Sequence, residues 1–394
     1  MPPLSPNTMP PPRPERPPGE RRPAPTAAAR ARSDALLARI REEIGRAGGA
    51  LGFSRYMEMA LYTPGLGYYS GGAAKLGPAG DFVTAPEVSA LFGRCVARQA
   101  LEALAAIGGG EVLELGGGSG ALAEAALAEA CDGLRWHMLE PSAELRDRQR
   151  ARLGERVCWH DTLPRGFRGV IVANEVADAL PVERFTIRDG EPRRLGVGVG
   201  DAGLEWTLMA PEPAFAGVVH ALEIELGQPF PEGYSGEFCP MLQAWVRSLA
   251  ACLDAGLLLL IDYGLPRREL YAAERVDGTL ICHYRHRAHA DPFLWPGLQD
   301  ISAWVDFTAI AEAATDAGLT LEGYTTQAAF LAGNGLEHML QAGAGDAAAI
   351  RLAQEAKRLL LPGEMGERFR VMGLSRGLGP ALAGFRLRDL AGRL

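Results

Sequence analysis

The stretch Glu111-Val-Leu-Glu-Leu-Gly-Gly-Gly-Ser-Gly120 begins as a short apolar strand and continues into a turn with four glycines. Glycine permits positive φ angles and lets backbone amides approach a ligand closely. A helix is predicted directly after the turn, and its first N–H groups lack partners within the helix. The order of strand, glycine turn and helix predicts a ligand-binding loop at the edge of an open α/β sheet.

Strands and helices alternate on both sides of this turn. The predicted strands nearest to it are Glu111–Leu115, Trp136–Glu140, Val157–Trp159 and Gly169–Ala173, and the helices between them are Ala121–Ala130 and Ala143–Leu153. The pattern resumes with a helix over Met241–Ala255, a strand over Leu257–Tyr263, a helix over Phe307–Ala317, a strand over Thr320–Tyr324, a helix over Ala347–Leu360 and a last strand over Phe369–Gly373. This rhythm predicts an α/β fold: a Rossmann-like, mostly parallel sheet with helices on both faces.

Changes in composition divide the chain into five segments. They are a disordered Pro- and Arg-rich tail over residues 1–32, an N-terminal helical and loop region over 33–106, the first half of the core over 107–180, an inserted β-rich subdomain over 181–240, and the second half of the core over 241–394 with an insertion at 265–302. The tail has too little apolar surface to order itself. Ser33 or Asp34 is expected to cap a helix that runs to Ala47.

Charge and cysteine content limit the function classes. The 394-residue chain has a formal net charge of −8, so no overall basic field indicates a nucleic-acid partner. The six cysteines form no CxxC pair, which argues against a zinc site. No run reaches the roughly 18 to 20 apolar residues of a membrane helix, so we expect no membrane insertion. We expect a cytoplasmic protein, or a mitochondrial one in a eukaryote, and the sequence leaves open whether it forms a homodimer.

The glycine turn differs from a dinucleotide fingerprint. Its pattern E-x-G-x-G-x-G resembles the first motif of class I methyltransferases, which bind S-adenosyl-L-methionine. In that family the turn faces the methionine part of the cofactor, and the early carboxylate, here Glu114, helps to hold its ammonium group. Glu140 ends the second strand, where a carboxylate can accept hydrogen bonds from both ribose hydroxyls. The expected cofactor-binding residues are Asp81, Glu114, Gly116, Gly118, Ser119, Gly120, Glu140, Asp161 and Asn174.

Longer motifs carry a closer resemblance. They include Arg55-Tyr-Met-Glu-Met-Ala-Leu-Tyr62, Pro64-Gly-Leu-Gly-Tyr-Tyr-Ser70, Gly80-Asp-Phe-Val-Thr-Ala-Pro-Glu87, Asn174-Glu-Val-Ala-Asp-Ala-Leu-Pro-Val-Glu-Arg-Phe185, Ile261-Asp-Tyr-Gly264 and Pro296-Gly-Leu-Gln-Asp300. Over residues 50–375 the chain resembles the MidA-like family, whose mitochondrial members methylate an arginine of a respiratory complex I subunit. The resemblance implies a protein substrate, with a complex I subunit as one candidate. It also implies an adenine contact for Asp161 and a pocket position for Asp81.

The residues after the fourth strand are candidates for binding the methyl acceptor. In arginine methyltransferases a loop at this place supplies two glutamates, and here Glu175 and Glu183 flank Asp178. A guanidinium is protonated at neutral pH, and paired carboxylates can fix its plane. In the alternative interpretation Glu183 pairs with a nearby arginine and only Glu175 lines the pocket. Asp262 and Tyr263 end a strand at the edge where ligands bind in such sheets.

Three histidines recur at every third position, at His283, His286 and His289. On a helix they would share a face, an arrangement that would point to a metal site. Arg285 and Arg287 lie between them, which favours a polar lid or a substrate-facing loop. We therefore expect no bound metal.

Two other functions remain open. The chain could be a cofactor-binding assembly factor that has lost transfer activity, and such a protein need not keep Glu175 and its neighbours. It could also methylate a small molecule, which an enclosed pocket would favour over an open acidic groove.

Overall fold

The computed structural model describes residues 23–71, 83–131, 133–341, 346–379 and 381–394. These residues divide into two compact units. The core unit comprises the described residues of 83–178, 242–266 and 305–394. The accessory unit comprises those before residue 72 together with 179–241 and 267–304.

The strands are numbered along the chain. They are β1 (Leu51–Gly52), β2 (Glu111–Leu115), β3 (Trp136–Leu139), β4 (Val157–His160), β5 (Phe167–Asn174), β6 (Glu183–Arg188), β7 (Glu191–Gly200), β8 (Gly203–Leu208), β9 (Ser235–Phe238), β10 (Leu253–Leu265), β11 (Ile281–Tyr284), β12 (Arg287–His289), β13 (Asp300–Ser302), β14 (Val305–Asp306), β15 (Thr320–Thr326) and β16 (Phe369–Arg376).

The α-helices are numbered in the same way. They are α1 (Ala27–Arg46), α2 (Phe53–Tyr62), α3 (Ala85–Val88), α4 (Ala90–Ala106), α5 (Ala121–Ala130), α6 (Ala143–Leu153), α7 (Pro213–Leu226), α8 (Leu242–Cys252), α9 (Arg267–Leu270), α10 (Phe307–Asp316), α11 (Gln327–Gly333), α12 (Leu336–Gln341), α13 (Asp346–Leu360) and α14 (Ala383–Arg386).

One mostly parallel sheet organises the core unit. Its strand order is β15-β16-β10-β5-β2-β3-β4, and β14 pairs with β10. Five neighbouring strands of this sheet run parallel, namely β4, β3, β2, β5 and β10. Strand β16 lies between β10 and β15 and is antiparallel to both. Successive residues in the middle of β5 and β10 are all buried, as expected for a sheet covered by helices on both faces. The predicted fold class is confirmed.

The accessory unit is built on antiparallel strands. Five of its strands form one sheet in the order β1-β7-β6-β9 with β8 on β7, and three form the sheet β12-β11-β13. Both the β-rich segment and the second insertion contribute to this unit. Buried apolar side chains from α1, α2 and these strands share one cluster. Within it the Tyr56 hydroxyl donates to the Pro292 carbonyl oxygen at 2.6 Å.

The N-terminal helices differ from the prediction. Helix α1 begins at Ala27, and the Thr26 hydroxyl caps it by accepting a hydrogen bond from the Ala29 amide at 3.2 Å. The predicted cap at Ser33 or Asp34 is wrong, because Ser33 is buried inside the helix and donates to the Pro296 carbonyl at 2.9 Å. The predicted 33–106 region is divided between the two units at residue 83.

The core elements follow the prediction closely, and the accessory unit does so less well. The six predicted strands and helices from Glu111 to Ala173 are all present, with ends shifted by at most two residues. In the segment 181–240, which the sequence predicts to be β-rich, β6, β7 and β8 pair antiparallel. Helix α7 and strand β9 were not predicted. No helix in the described ranges combines the length and apolar character needed to span a membrane.

Candidate active site

The carboxyl ends of the parallel strands bring the predicted site residues to one edge of the sheet. The register pairs Leu115 with both Leu139 and Ala173, and Ala173 with Leu260. The glycine turn (Gly116–Gly120), Glu140 and the residues after β5 therefore begin at the same edge. This is where open α/β sheets bind their ligands.

The glycine turn depends on the absence of side chains. Gly116, Gly118 and Gly120 have φ angles of +60°, +54° and +83°. These values lie in the left-handed region, which glycine adopts at little cost. Gly120 is the N-cap of α5, so the turn ends at a helix N-terminus with its unsatisfied amides.

Ser119 ties the turn to neighbouring helices. Its hydroxyl donates to the Glu87 carboxylate on α3 and accepts from Arg152 Nη1 on α6 at 3.0 Å. The Ser119 side chain therefore helps to fix the turn.

Glu114 is buried one residue before the end of β2. Its Oε2 accepts a hydrogen bond from the Trp136 indole on β3 at 2.8 Å. Burial raises the pKa of Glu114 to about 8, although the indole donor acts in the opposite direction. Without a cationic partner the carboxyl is thus mostly protonated at neutral pH.

Gln149 on α6, which no sequence motif singles out, connects Glu140 to the glycine turn. The Gln149 amide Nε2 donates to Gly118 O at 2.9 Å and to Glu140 Oε2 at 3.1 Å. The Trp159 indole donates to Gln149 Oε1 at 2.9 Å and fixes the orientation of the amide. The Ser142 amide holds the other oxygen of Glu140 at 3.0 Å.

Two further predicted cofactor residues have different outcomes. Asp161 is exposed and accepts a hydrogen bond from Arg146 Nη1 at 2.6 Å, an interaction that lowers its pKa. Arg146 also donates to the Glu140 carbonyl at 2.8 Å, so Asp161 and Glu140 share a partner. Asp81 lies outside the described residues.

The loop after β5, Glu175–Asp178, lies against the glycine turn, and we call it the acceptor loop. A Cβ atom added at Gly116 would lie 3.3 Å from Cγ2 of Val176. Glu175 has a φ of +54°, which is uncommon for a residue other than glycine. The Asn174 amide Nδ2 donates to Glu175 Oε1 at 3.1 Å. The acidic loop and the glycine turn are thus neighbours.

Asp262 on β10 binds the main chain of the acceptor loop. Its Oδ2 accepts from the amides of Val176, Ala177 and Asp178 at 3.2, 2.9 and 3.2 Å. Its Oδ1 accepts from the Tyr263 amide at 2.8 Å. Burial raises the pKa of Asp262 to about 7, and the four amide bonds offset part of this effect.

Glu183 does not share this environment. It lies on β6 of the accessory unit, where Arg194 on the antiparallel β7 donates to it through Nε at 2.9 Å. The Ser54 hydroxyl and Arg194 Nη2 also donate to this carboxylate. Both oxygens are therefore engaged, as in the alternative interpretation of the sequence, and a second guanidinium would have to displace Arg194.

The three histidines do not lie on a helix. Residues 281–289 form the hairpin of β11 and β12, with Arg285 and His286 in its turn at positive φ. Burial lowers the pKa of His283 to about 4. In the part of the chain that the structure describes, no cluster of three or more histidine, cysteine or carboxylate side chains is arranged to hold a metal ion.

The residues at this edge fit S-adenosyl-L-methionine. Glu114 and Glu140 are buried carboxylates on either side of a turn with no side chains at its left-handed positions. Asn174 Oδ1 is buried and has no hydrogen-bond partner among the described residues. The edge therefore offers acceptors for an ammonium group and for hydroxyls beside the N-terminal amides of α5.

Comparisons with known proteins agree with this geometry. A family model described as "Putative S-adenosyl-L-methionine-dependent methyltransferase" matches residues 95–325. A crystal structure from Burkholderia thailandensis with bound S-adenosyl-homocysteine is 42% identical, with a TM-score of 0.89. That match covers 94% of this chain and 100% of the Burkholderia chain. These findings confirm the predicted methyltransferase family.

More distant relatives carry a specific name. The mitochondrial protein arginine methyltransferase NDUFAF7 of Danio rerio is 28% identical over 82% of each chain. The Homo sapiens protein of the same name is 26% identical over 83% of this chain and 80% of its own length.

Proposed function

This chain belongs to the family of S-adenosyl-L-methionine-dependent methyltransferases, and from that premise we propose that its methyl acceptor is an arginine guanidinium of a protein. The names of the NDUFAF7 relatives support this choice of acceptor. Complex I subunits are the first candidates, as the sequence resemblance implies. We place the enzyme in the cytoplasm of a bacterial cell, or in the mitochondrion of a eukaryotic one.

We assign the cofactor to the edge formed by β2, β3 and β5. Glu114 would accept from its ammonium group, the amides of the glycine turn would approach its carboxylate, and Glu140 would accept from the ribose hydroxyls. Asp161 is assigned to the adenine end because it shares Arg146 with Glu140. Asn174 Oδ1 supplies a further acceptor.

The observation that carries the proposal is the acidic acceptor loop packed against the glycine turn. Glu175 and Asp178 place two carboxylates on a four-residue loop, and Val176 of that loop is the neighbour of Gly116. Carboxylates attract a guanidinium and can orient it through charged hydrogen bonds. We therefore assign acceptor binding to Glu175 and Asp178, and leave out Glu183 because Arg194 and Ser54 occupy it.

The main contribution of the chain's own residues is to hold the acceptor nitrogen and the methyl group in position. The bound cofactor supplies an electrophilic methyl group on a sulfonium. Transfer forms a nitrogen–carbon bond and breaks the sulfur–carbon bond, whose electron pair stays on sulfur. The methylated guanidinium then loses one proton to solvent. Holding the reacting atoms about 3 to 3.5 Å apart accounts for much of the acceleration in such reactions.

Quantitative mass spectrometry of a strain that lacks the gene tests the acceptor. At least one protein arginine should lose its methyl group in that strain, and the wild-type gene should restore it. The Glu175→Gln variant should not restore it, whereas Glu155→Gln, which changes an exposed glutamate of the same unit, should.

Other outcomes would contradict the arginine proposal. If methylarginine is unchanged while a small metabolite loses its methyl group, the chain is a small-molecule methyltransferase. If no methylation changes but assembly of a complex fails, the cofactor has a structural role.

A further inference from the structure

The main-chain shape of the acceptor loop depends on a side chain far away in sequence. Asp262 is separated from Val176, Ala177 and Asp178 by 86, 85 and 84 residues. Three successive amides of the loop converge on its Oδ2. Such a concave row of amides suits an oxygen acceptor, and here the acceptor is the protein's own Asp262 side chain.

The loop has little local reason to adopt this shape. Glu175 lies in the left-handed region at φ +54°, which strains a residue with a side chain. The Glu175 amide donates to the carbonyl of Ile261 at 2.9 Å, and Ile261 directly precedes Asp262 on β10. The strained residue is therefore bound to β10 next to Asp262. Strain of this kind persists only where the surroundings hold it.

We propose that Asp262 is a positioning residue for methyl transfer, which holds the acceptor loop so that Glu175 and Asp178 are fixed relative to the glycine turn. The inference rests on the proposed function, since it gives the loop a role in acceptor binding. Asp262 itself is only 2% exposed and its oxygens already bind amides, so it acts through the loop and not by touching the acceptor.

The Asp262→Asn variant tests this role. The amide keeps the size of the side chain, but it turns one acceptor into a donor that faces either the loop amides or the Tyr263 amide. Asp254→Asn is the matched control, because Asp254 is an exposed aspartate at the opposite end of β10. Asp262→Ser, which keeps one smaller acceptor, serves as a second variant if the first does not fold.

Three measurements on the full-length protein are needed. Hydrogen exchange followed by mass spectrometry should show that peptides spanning residues 174–180 exchange about tenfold faster in Asp262→Asn, with no change elsewhere in the sheet. Total tritium transfer from methyl-labelled S-adenosyl-L-methionine into an extract of the deletion strain should fall about 100-fold, the effect of a small misplacement of reacting groups. Affinity for S-adenosyl-homocysteine should change by less than about threefold, and Asp254→Asn should behave as wild type.

The outcomes separate this inference from the proposed acceptor. Total transfer does not depend on arginine being the acceptor, so the variant should lose activity even if the label is found on another residue type. Unchanged loop exchange, or faster exchange with unchanged transfer, would overturn the role of Asp262. Wild-type protein that transfers no label would overturn both claims together.

Discussion

The cofactor region around the glycine turn and the acceptor loop after β5 lie at the same sheet edge, but different contacts hold them. In the cofactor region several different side chains make the contacts, as in the bonds from Trp136 to Glu114 and from Gln149 to Glu140 and Gly118. In the acceptor loop one buried carboxylate, Asp262, holds consecutive main-chain amides. Several side chains therefore fix the cofactor region, whereas one carboxylate accepts from three successive amides of the acceptor loop.

Cofactor binding and methyl transfer should therefore be sensitive to different substitutions. Removing one contact from the cofactor region should weaken binding by a limited amount, because neighbouring bonds remain. Removing the Asp262 carboxylate, which binds three amides of the acceptor loop, should affect transfer strongly and leave cofactor binding intact.

The largest effect is expected at the turn itself. Gly118→Val forces a β-branched residue to φ +54° and places a side chain where backbone amides should meet the cofactor. Affinity for S-adenosyl-homocysteine, measured by calorimetry, should fall by at least about 100-fold, or ~2.7 kcal/mol. Gly318→Val is the control, since Gly318 also has a positive φ but open space around it. Full affinity in a folded Gly118→Val protein would show that the cofactor binds elsewhere.

A smaller effect is expected for the bridging amide. Gln149→Leu keeps the volume but removes the bonds to Gly118 and Glu140. The Kd for S-adenosyl-homocysteine should rise about tenfold, or ~1.4 kcal/mol, because Glu140 and the turn lose a shared support. The rate at saturating cofactor should stay within about twofold. Gln243→Leu, at an exposed position of α8, controls for the change in side-chain type. A fall in the saturated rate without a change in Kd would break the division between the two regions.

The smallest effect concerns a proton. The Glu114 pKa of about 8 means that the free protein holds this proton at pH 7. A bound ammonium group favours the carboxylate, so cofactor binding should release close to one proton at pH 7. Affinity should therefore rise by about fivefold between pH 7 and pH 8, where the free carboxyl loses its proton. Calorimetry in buffers with different ionisation enthalpies measures the release, and Glu114→Gln should abolish it. Equal proton release by wild type and variant would place the ammonium group away from Glu114.

Much of the cofactor region could be predicted because its signals are local. The strand, the glycine turn and α5 are contiguous, and Glu140 follows one strand–helix unit later. Gln149 was missed because its helix is rich in arginine and resembles a solvated helix. A signal was nevertheless present, since Leu145, Gln149 and Leu153 recur every four residues and all are buried.

The acceptor loop was harder to predict, because its support comes from the neighbouring strand β10, more than 80 residues away. A sequence does not show which main-chain amides a distant aspartate will meet. The spacing of Glu175 and Glu183 predicts that the two carboxylates act as a pair. The sequence does not show that the antiparallel pairing of β6 with β7 brings Arg194 into hydrogen-bond contact with Glu183. The period of the three histidines likewise gave no indication of the tight hairpin turn at Arg285 and His286.

The most direct measurement is a paired assay of Glu175→Gln. The change keeps the size of the side chain and removes its charge from the acceptor loop. Transfer of labelled methyl into extract from the deletion strain should fall by about 100-fold or more, as for the loss of a key charged contact. Affinity for S-adenosyl-homocysteine should change by less than about tenfold. Full transfer by Glu175→Gln would contradict the assignment of the acceptor site, and a collapse of cofactor affinity would move Glu175 into the cofactor region.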